Sequence, residues 1–177
     1  MLTLPENNEV ASSVMASLYI QAVRQGQSTW FRVISGSMRP ILQIGDAVYI
    51  QPATLDSLQV GEIAAFETPD GLVIHRVAHI RNTVSPAQFL EMGDVLLRAN
   101  WVDEQALVGR VTEIRRGRRL VNLQSPLAKR YGKITANVRY RVYCFYQKRE
   151  SNVERVVLRK FSRLVARLGY LFIWLKK

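Results

Sequence analysis

A serine in a glycine-containing segment and a histidine thirty-eight residues later are the two residues of this sequence best suited to nucleophilic chemistry. Ser37 lies in the hexapeptide SGSMRP and His75 in the tetrapeptide IHRV. A serine hydroxyl becomes an effective nucleophile when a neighbouring base takes its proton. The chain has 2 histidines, His75 and His79, and its lysines all lie at position 129 or beyond. His75 is therefore the leading candidate for a base that activates Ser37 within the same fold.

The chemistry of such a pair would be acyl transfer at a peptide bond. That reaction needs a nucleophile, a base that also protonates the leaving amine, and hydrogen-bond donors for the oxyanion. Ser35, two residues before Ser37, could supply a hydroxyl donor. A serine beside a glycine is more often part of a turn, and a lone strand histidine is more often structural. A catalytic role for Ser37 and His75 is favoured by further motifs in the rest of the sequence.

Length and charge limit the kind of protein this is. A chain of 177 residues with 48% hydrophobic content suits one ordinary core. Residues 1–128 carry 11 arginines against 12 acidic residues, whereas residues 129–177 carry 14 basic residues against 2 acidic ones. The basic tail predicts either contact with an anionic partner or a solvated helical face. We expect a membrane surface rather than nucleic acid as that partner.

Cysteine content and targeting signals point to the cytoplasm. The single cysteine, Cys144, cannot form an internal disulfide, and no metal or other cofactor is expected. The N-terminal residues have neither the basic nor the apolar region of a secretory signal. No run reaches the roughly 20 apolar residues that cross a bilayer as a helix. These observations predict a cytoplasmic location and leave a peripheral position on the inner membrane face open.

The elements that must position Ser37 and His75 follow from the hydrophobic pattern. Helical spacing of apolar residues predicts an amphipathic helix over 9–25. Between residues 30 and 122, short runs rich in Val, Ile and Phe predict a mainly antiparallel sheet with a sharp turn at Asp70-Gly71. These runs are TWFRVIS, DAVYIQP, EIAAFET, LVIHRVAHI, AQFLEM, ALVGRVTEI and RLVNL.

Helical periodicity resumes over 127–149 and 151–176. The second stretch places apolar residues on one face and arginines on another, with Trp174 and two lysines near its end. This pattern is typical of a helix that lies in a membrane interface, and equally of one that packs on the protein's own core. The predicted organisation is a helical segment over 1–29, a β-rich catalytic domain over 30–126 and a basic helical extension over 127–177.

Five segments resemble the type I signal peptidases and the related self-cleaving repressor peptidases. In order they are SGSMRPILQIGDAVYI, LQVGEIAAF, LVIHRV, FLEMGD and LVGRV, and they cover roughly residues 31–112. The resemblance implies a signal-peptidase-like or repressor-peptidase-like β fold, α+β overall once the helical ends are added. It also implies Ser37 as the nucleophile, with the Ser35 hydroxyl and the Ser37 backbone amide as oxyanion donors. Bacterial members use a lysine base, but the endoplasmic-reticulum and archaeal type has a histidine in the HR segment, here His75.

The resemblance also implies a third residue that orients His75, and here the sequence departs from the family. The aspartate expected after the GD motif aligns with Asn100, which could hold the ring but could not balance its positive charge. Asp94, whose place the motif fixes, is the favoured site residue, with Asp103 next. The choice among these three residues stays open. Arg76 is expected to form an ion pair.

Two functions of different classes fit these observations. The first is a serine endopeptidase that cleaves a leader or precursor peptide through an acyl-enzyme. Signal peptidases usually carry an N-terminal transmembrane anchor that this sequence does not show, so processing on the cytoplasmic side is expected. The second is a non-catalytic peptide-binding or membrane-associated adaptor that keeps the fold. A DNA-binding repressor is disfavoured because the 30 residues before the β-rich part are too few for a helix-turn-helix and a linker.

Overall fold

The elements of the fold follow the predicted apolar runs closely. A computed structural model describes residues 17–147 together with Lys160, Leu164 and Trp174. Residues 17–24 form helix α1, the C-terminal part of the predicted N-terminal helix, whose remainder lies outside the described residues. The other elements are β1 (Thr29–Arg32), β2 (Ala47–Pro52), β3 (Ile63–Thr68), β4 (Gly71–Arg81), β5 (Gln88–Met92), β6 (Ala99–Asp103), β7 (Leu107–Arg116), β8 (Arg119–Asn122) and α2 (Pro126–Gln147).

The strands form one antiparallel sheet that curls into a half-barrel, so the prediction of a mainly β chain is confirmed. The strand order is β1-β2-β7-β3-β4-β5-β6, and β8 pairs with the part of β7 that β3 leaves uncovered. Seven strands coincide with the seven predicted runs, whereas β6 was not predicted. The β3–β4 hairpin turns at Asp70-Gly71 as expected. Gly71 has a φ of +112°, a left-handed value that glycine adopts without strain.

Alternating apolar residues build the core on the inner face of the sheet. On β2, Val48 and Ile50 are buried, while Tyr49 between them is only half-buried on the opposite face. The largest buried cluster joins α1, β2, β7 and α2, and Trp174 belongs to it. A separate cluster attaches α2 to β5 through Val142 and Leu90. Both clusters hold α2 against the sheet.

Helix α2 confirms the helix predicted over 127–149. Its backbone lies close to the start of strand β3. A Cβ atom on Gly132 would lie 2.5 Å from the carbonyl oxygen of Gly61, and one on Gly61 would lie 2.4 Å from the backbone nitrogen of Lys133. Neither position has room for a larger residue. Two glycines therefore let the helix approach the start of β3 more closely than side chains would allow.

The tail beyond α2 meets the protein body at one described residue. Trp174 is 7% exposed, and the Arg116 guanidinium lies 4.0 Å from the centre of its ring. Lys160 and Leu164 are helical and exposed, and the other residues of the predicted helix over 151–176 lie outside the described part of the chain. Trp174 thus packs on the core. Among the described residues, no helix combines the length and the apolar character needed to cross a membrane.

Candidate active site

Ser37 lies in the loop that connects β1 to β2, and its backbone is held from two sides. The neighbouring Met38 is buried in the main core cluster, which anchors the loop. Within the loop, the backbone N–H of Leu42 donates to the carbonyl of Met38 at 3.1 Å. From the opposite side, the N–H of Val95 donates to the Ser37 carbonyl at 3.0 Å. The serine side chain is therefore presented from a fixed backbone.

His75 lies on β4 at the point where the neighbouring strand β5 stops pairing. The β4–β5 ladder begins at Arg76, which leaves the ring of His75 free to face the loop that carries Ser37. The His75 Nε2 atom lies 2.9 Å from Ser37 Oγ, within hydrogen-bond distance. The structure thus brings together the two residues that the sequence analysis paired.

Glu91, which the sequence analysis did not consider, occupies the other side of the imidazole ring. Its Oε2 atom lies 2.5 Å from His75 Nδ1, and its Oε1 atom accepts a hydrogen bond of 2.6 Å from Asn100 Nδ2. Glu91 is 5% exposed. A carboxylate at Nδ1 favours the tautomer that carries its proton there, so Nε2 can accept the Ser37 proton. Ser37, His75, Glu91 and Asn100 form one hydrogen-bonded chain, the site row.

The sheet register explains why Glu91 reaches His75. Arg76 lies opposite Met92, so the residue diagonal to His75 on the same face is Glu91. Glu91 in turn lies directly opposite Asn100 on β6. A signal for this residue was present in the sequence, because Glu91 is a lone charge in the otherwise apolar run FLEM. Charged residues are seldom buried without a partner.

The structure does not bring Asp94 or Asp103 to His75. Asp94 is instead paired with Arg76, whose Nε and Nη2 atoms donate at 3.0 and 2.6 Å. Asp103 accepts a hydrogen bond of 2.7 Å from Gln88 at an exposed position. The structure therefore places Glu91, and not the favoured Asp94, at the ring of His75. The reason is that Asp94 lies beyond the end of β5, where it faces a buried arginine instead of the ring.

Asp94 belongs to a buried charge cluster beneath the site, made of Arg76, Asp94 and Arg139. The ion pair expected for Arg76 is present, and the side chains of Arg76 and Asp94 are 4% and 0% exposed. Burial opposes the charge of Arg76, but the facing Asp94 carboxylate outweighs it, and the pKa of Arg76 is raised. Burial also raises the pKa of Tyr131, which lies next to Arg76. Arg76 therefore remains a fixed cation.

Arg139 links helix α2 to the loop that supports Ser37. Its Nη2 atom donates to the carbonyls of Gly93 and Leu96 at 2.7 and 2.8 Å. A Cβ atom on Gly93 would lie 3.1 Å from the Ser37 carbonyl oxygen and 3.2 Å from His75 Nε2. This loop thus passes directly beneath the serine and the histidine, and the charge cluster determines its path.

His79 has a different environment from His75. A β-bulge between Val77 and His79 interrupts the regular alternation of β4. His79 is exposed, and its ring stacks on Tyr140 with 5.0 Å between ring centres and contacts the edge of Trp101. His79 therefore faces Tyr140 and Trp101, whereas His75 faces Ser37 and Glu91. His79 also lies outside the segment LVIHRV.

The site row opens into a groove of about 1000 Å³. Ser35, Ser37 and His75 line it together with apolar residues from α1, β1, β4 and the following loops. These include Tyr19, Ile20, Phe31, Met38, Leu72 and Ile74. Polar residues line it as well, among them Arg32, Glu67 and Asp70. A mostly apolar groove with some polar groups is the usual form of a ligand site. Its size and apolar walls suit an extended peptide.

Comparison with models of known protein families and with curated proteins gives no match to this chain. Within the described ranges, no group of three or more His, Cys, Asp or Glu residues is arranged to hold a metal ion. The geometry of the site row and the groove is therefore what bears on function.

Proposed function

We propose that the protein is a serine endopeptidase of the signal-peptidase-like type, with Ser37 as nucleophile, His75 as general base and Glu91 as the residue that orients His75. The observation that carries this proposal is the row of contacts from Ser37 Oγ to His75 Nε2 and from His75 Nδ1 to Glu91, at the wall of an open groove. A nucleophile, a base and an orienting acid in hydrogen-bond reach of one another are the parts that acyl transfer requires.

In the first half of the reaction, Ser37 Oγ attacks the carbonyl carbon of a peptide bond while its proton passes to His75 Nε2. The imidazolium that forms is stabilised by the Glu91 carboxylate at Nδ1. The tetrahedral intermediate then collapses, the C–N bond breaks, and the proton on Nε2 passes to the leaving amine. The product is an ester between Ser37 and the acyl half of the substrate.

In the second half, a water molecule takes the place of the amine. Nε2 of His75 removes a proton from the water as its oxygen attacks the ester carbonyl. Collapse of the second intermediate breaks the ester and returns the proton to Ser37 Oγ. The cycle needs no cofactor, because the same imidazole serves as base and as acid in both halves.

The oxyanion donors we propose are the Ser35 hydroxyl and the Ser37 backbone amide. Ser35 Oγ lies 3.4 Å from Ser37 Oγ, on the same loop. Two donors aimed at the developing negative charge contribute a large part of the rate in enzymes of this kind. Ser35→Ala should therefore slow acylation more than it changes substrate binding.

The substrate we propose is a leader or precursor peptide processed on the cytoplasmic side of a membrane. The groove is lined with apolar side chains from α1, β1 and β4, which suits an extended, partly apolar segment. Asn100 in place of an aspartate is one ground for the alternative, a non-catalytic adaptor. That support is weaker now, because a carboxylate, Glu91, lies at the ring and Asn100 binds it.

A fluorophosphonate probe, which acylates activated serines, tests this proposal. The parent protein should be labelled, Ser37→Ala should not be labelled, and His75→Ala should be labelled at least 10³-fold more slowly. His79→Ala is the matched control and should label like the parent. Absence of labelling in the parent, or equal labelling in Ser37→Ala, would contradict the proposal. A parent that binds peptide in the groove without being labelled would favour the adaptor.

A further inference from the structure

Arginine and aliphatic side chains share the end of the sheet next to the site. On the outer face, Arg32 of β1 lies opposite Ala47 of β2, Ala47 opposite Arg115 of β7, and Arg115 opposite Leu120 of β8. Directly opposed residues in an antiparallel sheet point to the same side. This single row across four strands therefore presents two arginines and a leucine together, and all three are exposed.

The turn and the loop at the same end extend this row. Arg118 is exposed in the β7–β8 turn. Arg119 begins β8 opposite Arg116, so it points to the other side of the sheet from Arg115 and Leu120. Val33 exchanges backbone hydrogen bonds with Gly45 and Asp46 at 2.9 and 2.8 Å, which places the chain after β1 beside the chain before β2. Two exposed isoleucines flank these bonds, Ile34 and Ile44. We call the whole set the basic-apolar face, made of Arg32, Ile34, Ile44, Arg115, Arg118 and Leu120.

The aliphatic members of the basic-apolar face are unusually open to solvent. Ile34 is 86% exposed, Ile44 57% and Leu120 59%. The same part of the sheet carries the rings of Trp30 and Tyr49, whose centres lie 5.0 Å apart. The Arg115 guanidinium lies 4.4 Å from the centre of the Trp30 ring. Single exposed apolar residues are common, but several grouped together mark an interaction surface.

Charge is segregated between the two ends of the sheet. The first 128 residues are nearly neutral, with 11 arginines against 12 acidic residues. At the end with the basic-apolar face, Asp46 is buried and paired with Arg116, so it does not offset the exposed arginines. The ends of β3 and β6 and the turn after β2 instead carry a group of exposed acidic residues. These are Asp56, Glu67, Asp70, Asp103 and Glu104, of which Glu67 is paired with Arg24.

We propose that the basic-apolar face docks on the surface of a membrane that contains anionic phospholipid. Clustered arginines bind lipid phosphates, while exposed aliphatic side chains among them enter the acyl boundary. Nucleic acid would use the arginines but would leave the three aliphatic side chains in water. The segregated charge orients the molecule, because the acidic end is repelled by the same surface.

Docking in this orientation has a consequence for the groove. Arg32 and Ile34 belong to the basic-apolar face and also line the groove beside Ser37. Glu67 and Asp70 of the acidic group line the groove too, so a membrane bound to this face would meet the groove at the side of Arg32 and Ile34. This inference goes beyond the proposed peptidase activity and does not depend on it, since it rests on surface residues alone.

The experiment is co-sedimentation of the full chain with vesicles of phosphatidylcholine, with and without phosphatidylglycerol. The double variant Arg115→Gln and Arg118→Gln should lower partition into the anionic vesicles by about 30-fold, because each arginine at the surface contributes about fivefold. The matched control is Arg130→Gln with Arg141→Gln, two exposed arginines of α2. It removes the same charge and should change partition by less than about twofold at physiological salt, where distant charges are screened.

A second pair of variants tests the aliphatic part of the face. Leu120→Ser should lower partition by about tenfold, whereas Leu127→Ser, an exposed leucine of α2, should leave it unchanged. Equal loss in the two arginine pairs, or equal binding to vesicles without phosphatidylglycerol, would overturn the proposal. So would binding to a single-stranded oligonucleotide that depends on Arg115 and Arg118 while vesicles bind no protein. Ser37→Ala should bind vesicles like the parent, so membrane docking and peptidase activity can fail independently.

Discussion

Two carboxylates three residues apart, Glu91 and Asp94, are both buried and yet have different partners. Glu91 faces an imidazole at the wall of the groove, and Asp94 faces the guanidinium of Arg76 beneath it. An arginine keeps its charge at every ordinary pH, so its partner can only support structure. An imidazole gains and loses a proton, so its partner can orient the ring and stabilise its charged form. Both carboxylates are buried, so the difference between the site row and the charge cluster comes from the chemistry of the group that each carboxylate faces.

The difference also lies in how each carboxylate is placed. Glu91 is inside β5, where the register with β4 and β6 sets its direction toward His75 and Asn100. Asp94 follows the strand, where two elements from elsewhere in the chain, β4 and α2, close around it. A substitution in each position should therefore affect a different property.

The largest effect is expected for Glu91→Gln. The amide keeps the shape of the side chain but cannot balance the imidazolium and can present its NH₂ group to Nδ1. Acylation of Ser37 should slow by about 10³-fold to 10⁴-fold. The measurement is the second-order rate constant for labelling with a fluorophosphonate. Thermal unfolding of the variant serves as the control, and a rate within threefold of the parent would assign His75 another orienting group.

The opposite pattern is expected for Asp94→Asn. This change leaves two buried guanidinium groups without their carboxylate and should destabilise the fold by about 3–5 kcal/mol. Urea unfolding followed by circular dichroism measures the loss. The protein that remains folded should be labelled within about tenfold of the parent rate. If stability were unchanged while labelling was lost, Asp94 and Glu91 would have exchanged their proposed roles.

A smaller effect is expected for Asn100→Ala. Asn100 donates to the oxygen of Glu91 that does not contact His75, so it positions the acid and does not touch the ring. Loss of one hydrogen bond to a charged group should slow labelling by about tenfold. Asn100→Asp is the informative companion, because a second carboxylate beside Glu91 would repel it. Equal rates for both variants would show that Asn100 has no positioning role.

Much of the fold could be predicted because seven of the eight strands fall in short runs rich in Val, Ile, Leu and Phe. β6 was missed because its run, ANWVD, is interrupted by Asn100, ends in Asp103 and is largely half-exposed. The pair of Ser37 and His75 was predicted because few other bases exist in the chain. Chemistry could be inferred from residue types without knowledge of the sheet.

The third member of the site row was not predicted, and the physical reason is register. Glu91 meets His75 only because Arg76 pairs with Met92. A bulge later in β4 shifts the register, so regular alternation along the strand does not predict this pairing. The family resemblance directed attention to positions after the GD motif, where Asp94, Asn100 and Asp103 lie. Long-range pairing between strands decides such contacts, and a single sequence does not fix it.

Helix α2 determines how far the chain can be truncated while the fold around Ser37 and His75 is kept. Arg139 holds the carbonyls of Gly93 and Leu96, and Gly132 lies against Gly61. A chain that ends at residue 126, where the β-rich part stops, would leave Asp94 with one arginine and expose the loop under Ser37 to solvent. The minimal autonomous module therefore includes α2, whose Arg139 supports the loop beneath Ser37 and His75.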